Sequence, residues 1–214
     1  MSVAAITPMV SVRTITFLAS SLGVVGPAAQ LWRVLQTRST QGLSRTTFTI
    51  LTVVFMLSLL LGIQYRIGPA LALAAASLVI KWLVLARIDW RHAAVLFAVA
   101  MLAVLVVVFG PPVVAEAVLS TRYSELVAFT WGMLFSITFV PQAVLTHRTR
   151  HTHNLSLLML LLSVGSVSLW MLFAFLVTNY SMLSWLAVVL IALLDLARLK
   201  LMERPVHVAS SSIS

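Results

Sequence analysis

The sequence predicts an all-α membrane protein with seven transmembrane helices in a 3+1+3 order: two parallel three-helix-bundle repeats joined by a linker helix. Three observations lead there. Hydrophobic residues make up 61% of the 214 positions and charged residues only 9%, with a mean hydropathy of +1.09, whereas soluble domains are about 25% charged. A surface that poor in charge cannot stay in water. A polar loop occurs twice, and the apolar segments between polar or Pro/Gly punctuation number seven.

The duplicated loop organises the chain. Gln30, Thr37, Arg38, Thr40, Leu43 and Ser44 recur as Gln142, Thr149, Arg150, Thr152, Leu155 and Ser156, each pair 112 residues apart without gaps. The match extends outward to Phe17/Phe129, Leu22/Leu134 and Leu57/Leu169 at the same offset. A fixed offset of this kind marks an internal repeat.

A span needs about 20 mostly apolar residues. The candidates are 14–35, 46–64, 69–87, 93–112, 124–146, 155–178 and 181–200. They are separated by the first polar loop, Gln64–Pro69, Arg87–His92, Gly110–Pro112, the second polar loop and Asn179–Ser181. The domains are therefore a first repeat over 12–87, a linker span over 93–112, a second repeat over 124–200 and a polar, disordered cytoplasmic tail over 201–214. The linker has a mechanical reason. Three crossings would deliver the second copy upside down, and a fourth restores its orientation. Its Ala, Val, Leu, Phe and Met content from Ala93 to Val108 suits a connector that lines nothing. No basic n-region with a small-residue cleavage site precedes Thr16, so no removable signal peptide is expected.

The net charge of +9 would point to nucleic acid in a soluble protein. Here the basic residues fall between apolar runs and report topology instead, so no nucleic-acid partner is expected. With the copied loops in the cytoplasm, that side holds ten basic residues: Arg33, Arg38, Arg45, Arg87, Arg91, Arg148, Arg150, Arg198, Lys200 and Arg204. The other side holds Arg13, Arg66 and Arg122. The positive-inside rule then puts the N-terminus outside and the C-terminus in the cytoplasm, with a cell membrane the expected location. The chain has no cysteine, which excludes disulfides and thiol chemistry.

Pro141-Gln142, near the cytoplasmic end of span five and followed by a basic loop closing on Asn154-Leu-Ser156, resembles the PQ-loop signature. The duplicated 3+1+3 layout is similar to that of the SWEET sugar transporters, a parallel-repeat fold. The first copy departs from the signature: Ala29-Gln30 stands where Pro-Gln would be, and Pro27 follows Gly26 two residues earlier. A proline inside a helix removes a backbone hydrogen bond, which lipid tolerates only where neighbours re-satisfy the freed group. The resemblance implies that Gly26, Pro27, Gln30, Pro141 and Gln142 form the hinges of an inner gate, with the glutamines bonding the freed carbonyls. A static kink is the alternative.

The resemblance further implies a substrate site near the bilayer midplane. SWEET proteins commonly place an asparagine in each third span, but span three offers only Ser77 and span seven only Asn179 near its outer end. The pocket candidates at middle depth are Ser20, Ser21, Thr52, Ser77, Trp131, Ser136, Ser163, Ser166 and Trp185. Trp131 and Trp185 suit stacking on a sugar face. Small polar residues in spans also serve as packing contacts, and Trp32, Trp82, Trp90 and Trp170 suit interface anchors.

Two ionisable groups inside spans are costly and so candidates for function. At about 1.5 Å per residue, Lys81 lies roughly 18 Å from the start of span three and Asp195 roughly 21 Å from the start of span seven. A cross-repeat ion pair or a coupling site is one reading. The other has Lys81 snorkelling to the cytoplasmic surface and Asp195 pairing with Arg198, and it is favoured for Lys81. His147, His151 and His153 cluster in the second loop without carboxylates, so no metal is expected; a basic loop near anionic lipid fits better. No nucleophile–base pair, HExxH or GxxxxGK pattern occurs, so neither an enzyme nor a cofactor is expected.

The expected function is alternating-access facilitation of a small polar solute, a sugar first, since the midplane groups read as neutral. The rivals are a proton-coupled amino-acid exporter like the lysosomal cystine transporter, resting on Asp195, and a non-transporting seven-span receptor. The expected partners are that solute and the lipid bilayer, with homo-oligomers left open.

Overall fold

The computed structural model describes residues 3–64, 68–109, 121–149, 152–176 and 178–202; the Gly110–Pro112 break, Arg66, Arg150, His151 and the tail from 203 lie outside the described residues. The architecture is all-α. Among the described residues the helices are α1 (Val3–Thr37), α2 (Arg45–Gln64), α3 (Gly68–Ile88), α4 (Trp90–Phe109), α5 (Thr121–Ile137), α6 (Val140–Thr149), α7 (Leu157–Leu176) and α8 (Tyr180–Met202). Four stretches are long and apolar enough to cross a membrane: Thr14–Thr37, Leu126–Thr149, Leu157–Leu176 and Tyr180–Met202. The apolar helices Arg45–Leu60 and Trp90–Leu102 are shorter over the described residues.

Polar punctuation becomes helix caps. Ser44 Oγ accepts the Thr47 N–H at 3.2 Å, Ser156 Oγ the Met159 N–H at 3.2 Å, Asp89 Oδ1 the His92 N–H at 3.1 Å and Asn179 Oδ1 the Met182 N–H at 2.9 Å. Each satisfies an otherwise orphaned donor of a first turn and is worth about 1 kcal/mol. Asn179 is thus placed as the cap of α8.

The two prolines of the repeats behave differently. The expected fifth span is two helices. Pro141 cannot donate to the Ile137 carbonyl, so the chain turns at Thr138-Phe139, with the Thr138 N–H on the Phe135 carbonyl at 3.2 Å. Helix α6 restarts with Pro141 in its first turn, where a missing N–H is harmless. Helix α1, by contrast, runs unbroken through Gly26-Pro27.

Helix α3 packs on α1 and α2, and α8 packs on α5, α6 and α7; α1 meets α7, and α2 meets α5 and α6. The order α1–α3–α2–α5/α6–α8–α7, returning to α1, closes a ring. Leu51, Val84, Leu85, Leu160, Leu186 and Leu193 are among its buried side chains. Helix α4 lies against α3, with Trp82 Nε1 donating to the Ala93 carbonyl at 3.0 Å. Large apolar side chains such as Phe17, Val79, Phe97, Phe129 and Ile191 face outward. In water so many exposed apolar side chains would drive aggregation; against lipid they are the matching surface.

Trp185 closes the α5–α8 contact. A methyl group on Gly132 would lie 1.9 Å from Trp185 Cζ3, and Phe129 meets the same indole edge-on at 5.9 Å. Gly132→Ala should therefore overpack this seam and cost about 1–3 kcal/mol. A lowered melting temperature in detergent, largely recovered by adding Trp185→Leu, is the expected outcome.

Asp89 also ties α2 to the α3–α4 connection through Arg45 Nη1 at 2.9 Å. The His92 N–H and then the Arg45 guanidinium hold its carboxyl below the usual carboxylate range. A depressed carboxylate stabilises the fold above its unfolded pKa, and that contribution fades as pH falls through the folded one. Melting temperature should fall below about pH 4, and Asp89→Asn, which keeps the cap without the charge, should show a smaller fall.

Candidate functional site

The two copied loops meet at one end of the ring and are held by a reciprocal exchange. Gln30 Nε2 donates to the Asn154 carbonyl at 2.8 Å, and Gln30 Oε1 accepts the Ser156 N–H at 2.8 Å. Gln142 Nε2 donates to the Gly42 carbonyl at 2.8 Å, and its Oε1 accepts the Ser44 N–H at 2.7 Å. The partners are themselves related by the 112-residue offset: each glutamine of one repeat reads the same two backbone groups of the other. Gly42, at φ 82°, supplies the left-handed turn that presents its carbonyl. Asn154 Nδ2 adds bonds to Ser39 Oγ at 3.0 Å and the Gln41 carbonyl at 2.9 Å, Arg33 donates to the His153 carbonyl, and Lys200 donates to that of Thr152 at 2.9 Å. With Gln30, Gln142, Leu43, Leu155 and Phe48 all buried, this end is shut.

Above the loops, α1 lies antiparallel to α7 along a seam of small residues. Ser166 Oγ donates to the Ala19 carbonyl at 2.7 Å, and a methyl on Gly26 would meet Ser163 Oγ at 3.3 Å. Small residues let backbones approach closely where no water drives association. Within this seam the proline leaves its mark. Pro27 has no N–H to give the Gly23 carbonyl. That oxygen instead accepts from Ser77 Oγ at 3.0 Å and from Lys81 Nζ at 3.4 Å, both on α3. The expectation that Gln30 and Gln142 bond the freed carbonyls is corrected here, because both amides are already committed to the opposite loop.

The ring encloses a cavity of about 280 Å³, just below the roughly 300–1,000 Å³ of drug-sized ligand sites. Its wall comes from α1, α2, α3, α5, α7, α8 and the turn at Phe139, and among the described residues none is from α4. Seven pairs of wall positions obey the offset: Ala19/Trp131, Gly23/Phe135, Pro27/Phe139, Leu51/Ser163, Phe55/Val167, Ser58/Trp170 and Ala74/Leu186. Trp131 stacks on Phe135 at 5.2 Å and donates to Ser58 Oγ at 2.8 Å. Lys81 is 2% exposed and lines this wall, with Nζ bonded to Ser77 Oγ and 3.5 Å from the centre of the Phe55 ring.

Of the pocket candidates expected from the sequence, Ser20, Trp131, Ser163 and Ser166 lie on the cavity wall with Gly23 and Pro27. Ser21, Thr52 and Ser136 turn back onto carbonyls of their own helices, Ser77 serves the Gly23 carbonyl, and Trp185 covers Gly132. Lys81 does not snorkel: its Nζ is drawn inward by the carbonyl that Pro27 frees. Nor do Lys81 and Asp195 pair across the repeats. Asp195 Oδ2 meets His147 Nε2 at 2.7 Å on the partly exposed face of α6 and α8. Asp195 is thus placed with His147 in preference to Arg198. Phe55, Ser58, Phe135 and Phe139 are wall residues that the sequence did not single out, and Trp170, read there as an interface anchor, lines the wall as well. The 112-residue offset was the signal that could have found some of them: applied to Gly23 and Pro27, it leads to Phe135 and Phe139.

Residues 123–180 match the model of the PQ loop repeat. No curated protein matches the chain. The matched PQ-loop segment runs from α5 through α6 and α7 to the start of α8, and contains Pro141, Gln142 and the second loop. Together with the four long apolar stretches it marks an integral membrane protein. Gln30 makes the same two bonds as Gln142, so the first copy keeps the bonding geometry of the matched segment without its Pro-Gln pair.

Gln30→Leu or Gln142→Leu strands two buried loop groups, which costs about 1–3 kcal/mol for each group left unpaired. The expected readout is a comparable fall in melting temperature for either variant, with faster amide exchange in the opposite loop: residues 154–156 for Gln30→Leu and 42–44 for Gln142→Leu.

Proposed function

We propose that the chain is an alternating-access transporter that carries a small polar solute through the cavity between two helix triplets. In this reading α1–α3 and α5/α6–α8 are the triplets of a seven-span, 3+1+3 protein, and α4 is the crossing that keeps them parallel. The observation that carries the proposal is a two-fold-related cavity wall directly above a two-fold-related, hydrogen-bonded seal. Opening the sealed end means breaking the four glutamine bonds, and the two repeats would have to move apart symmetrically to do so. The Thr138-Phe139 break and the side-chain-held Gly23 carbonyl lie at the cavity wall, where bending would be needed.

The basic residues around the loops put the sealed end in the cytoplasm by the positive-inside rule, so this geometry is the inward-closed one. The rings of Trp131 and Trp170 and the hydroxyls of Ser20, Ser58 and Ser163 suit a sugar as the first neutral solute to try. The His147–Asp195 pair lies outside the cavity wall, so an amino-acid exporter coupled through Asp195 would have to pass its protons elsewhere than through the solute.

Uptake into proteoliposomes tests the proposal. Radiolabelled solutes, glucose among them, should enter by a saturable route. Trp131→Ala should raise the apparent KM roughly two- to tenfold, as expected for losing about 0.5–1.5 kcal/mol of ring contact. Failure of every solute to move, with or without a gradient, would leave the receptor reading in its place.

A further inference from the structure

Much of the cavity wall is two-fold related, and Lys81 is where the relation breaks in charge. Its equivalent in the second repeat is Leu193, and that of Ser77 is Val189; both are fully buried aliphatic side chains. The ring therefore closes around an apolar residue at this position as readily as around a lysine. Nor does the freed Gly23 carbonyl need the lysine, since Ser77 Oγ already donates to it at 3.0 Å while Lys81 Nζ stands at 3.4 Å. An ammonium carries three donors, and among the described residues no carboxylate lines this wall to answer them. The carboxylates of Asp89 and Asp195 are engaged elsewhere, with Arg45 and with His147. The remaining contact of Nζ is the face of the Phe55 ring. A cation taken out of water without a counter-charge is strongly disfavoured, and the counter-charge that fits is one that enters and leaves with the solute.

We propose that Lys81 is the anion-binding residue of the cavity and that the solute is a small monocarboxylate with an apolar or aromatic body. The carboxylate would sit on Nζ at the α3 side of the cavity. The body would lie against Phe55, Trp131 and Phe135. The size of the cavity limits the ligand to a single-ring or short-chain acid. This inference rests on the transport reading only for what the site is used for; binding itself does not depend on it.

The test uses the full-length chain in nanodiscs and an isosteric pair of probes, phenylacetate and phenylacetamide, which differ in charge and hardly in shape. Binding is read from tryptophan emission, because Trp131 and Trp170 line the cavity. Phenylacetate should bind at least about tenfold more tightly than the amide to the unmodified chain, the scale of a hydrogen bond to a charged group. Lys81→Arg should retain this preference, and Lys81→Met should abolish it while melting close to the unmodified protein, as Leu193 predicts. Equal binding of the two probes, no binding of phenylacetate at millimolar concentration, or a preference that survives in Lys81→Met would each overturn the proposal. Should Lys81→Met not fold, the comparison of acid and amide on the unmodified chain decides alone. Uptake separates the two ideas: glucose flux that phenylacetate does not inhibit defeats the carboxylate site and leaves the transporter, whereas charge-selective binding with no flux of any acid does the reverse.

Discussion

Two primary amides hold this molecule in register. Each glutamine side chain satisfies one buried carbonyl and one buried N–H at the start of the opposite repeat's middle helix, and those backbone groups have no helical partner of their own. Stranding them would cost far more than the bonds return in net stability, so the arrangement is closer to obligatory than to helpful. The remaining geometry follows. The loops must lie side by side at one end, α1 must run antiparallel to α7, and α2 must run alongside α5/α6. Six helical stretches pinned in that way form a ring, and a ring of this radius leaves space at its centre.

Much of this was legible in the sequence. The offset between the loops, the apolar segments and the Pro141 discontinuity can be read directly, because repeats, hydropathy and proline each act through the local chain. The cavity wall was half legible: hydroxyl and indole groups identify Ser20, Trp131, Ser163 and Ser166, but Phe55 and Phe139 look like any buried phenylalanine. The failures share a cause. Lys81 was expected at the surface because snorkelling is the cheaper option for an isolated lysine, and nothing in one helix's sequence announces that a neighbour has an unsatisfied carbonyl. For Asp195 the sequence left open a pairing with Lys81 or with Arg198 on its own helix, but His147 on α6 is what the packing brings closer. The glutamines were assigned to their own helix for the same reason. Long-range partners are invisible to a reading that works outward from each segment.

Proline chemistry divides the two repeats in a way their matched loops do not. In the second, the missing donor is accommodated by ending one helix and starting another. In the first, the helix continues and the orphaned oxygen is met sideways by a serine and a lysine of α3. One solution leaves a joint in the chain, and the other draws an amino group to the cavity wall. The same backbone problem, solved twice, gives the ring its hinge-like turn on one side and its only described cavity-lining cation on the other.

The glutamine exchange also has a consequence for how the chain is made. The groups that Gln30 must meet lie 124 and 126 residues further along, so they leave the ribosome only after helices α1 to α6 have been made. Until then the first triplet carries a bare amide and an unclaimed pair of loop groups at the membrane surface. A nascent chain in this condition is open to a second nascent chain, whose own Gln30 would fit as well in shape.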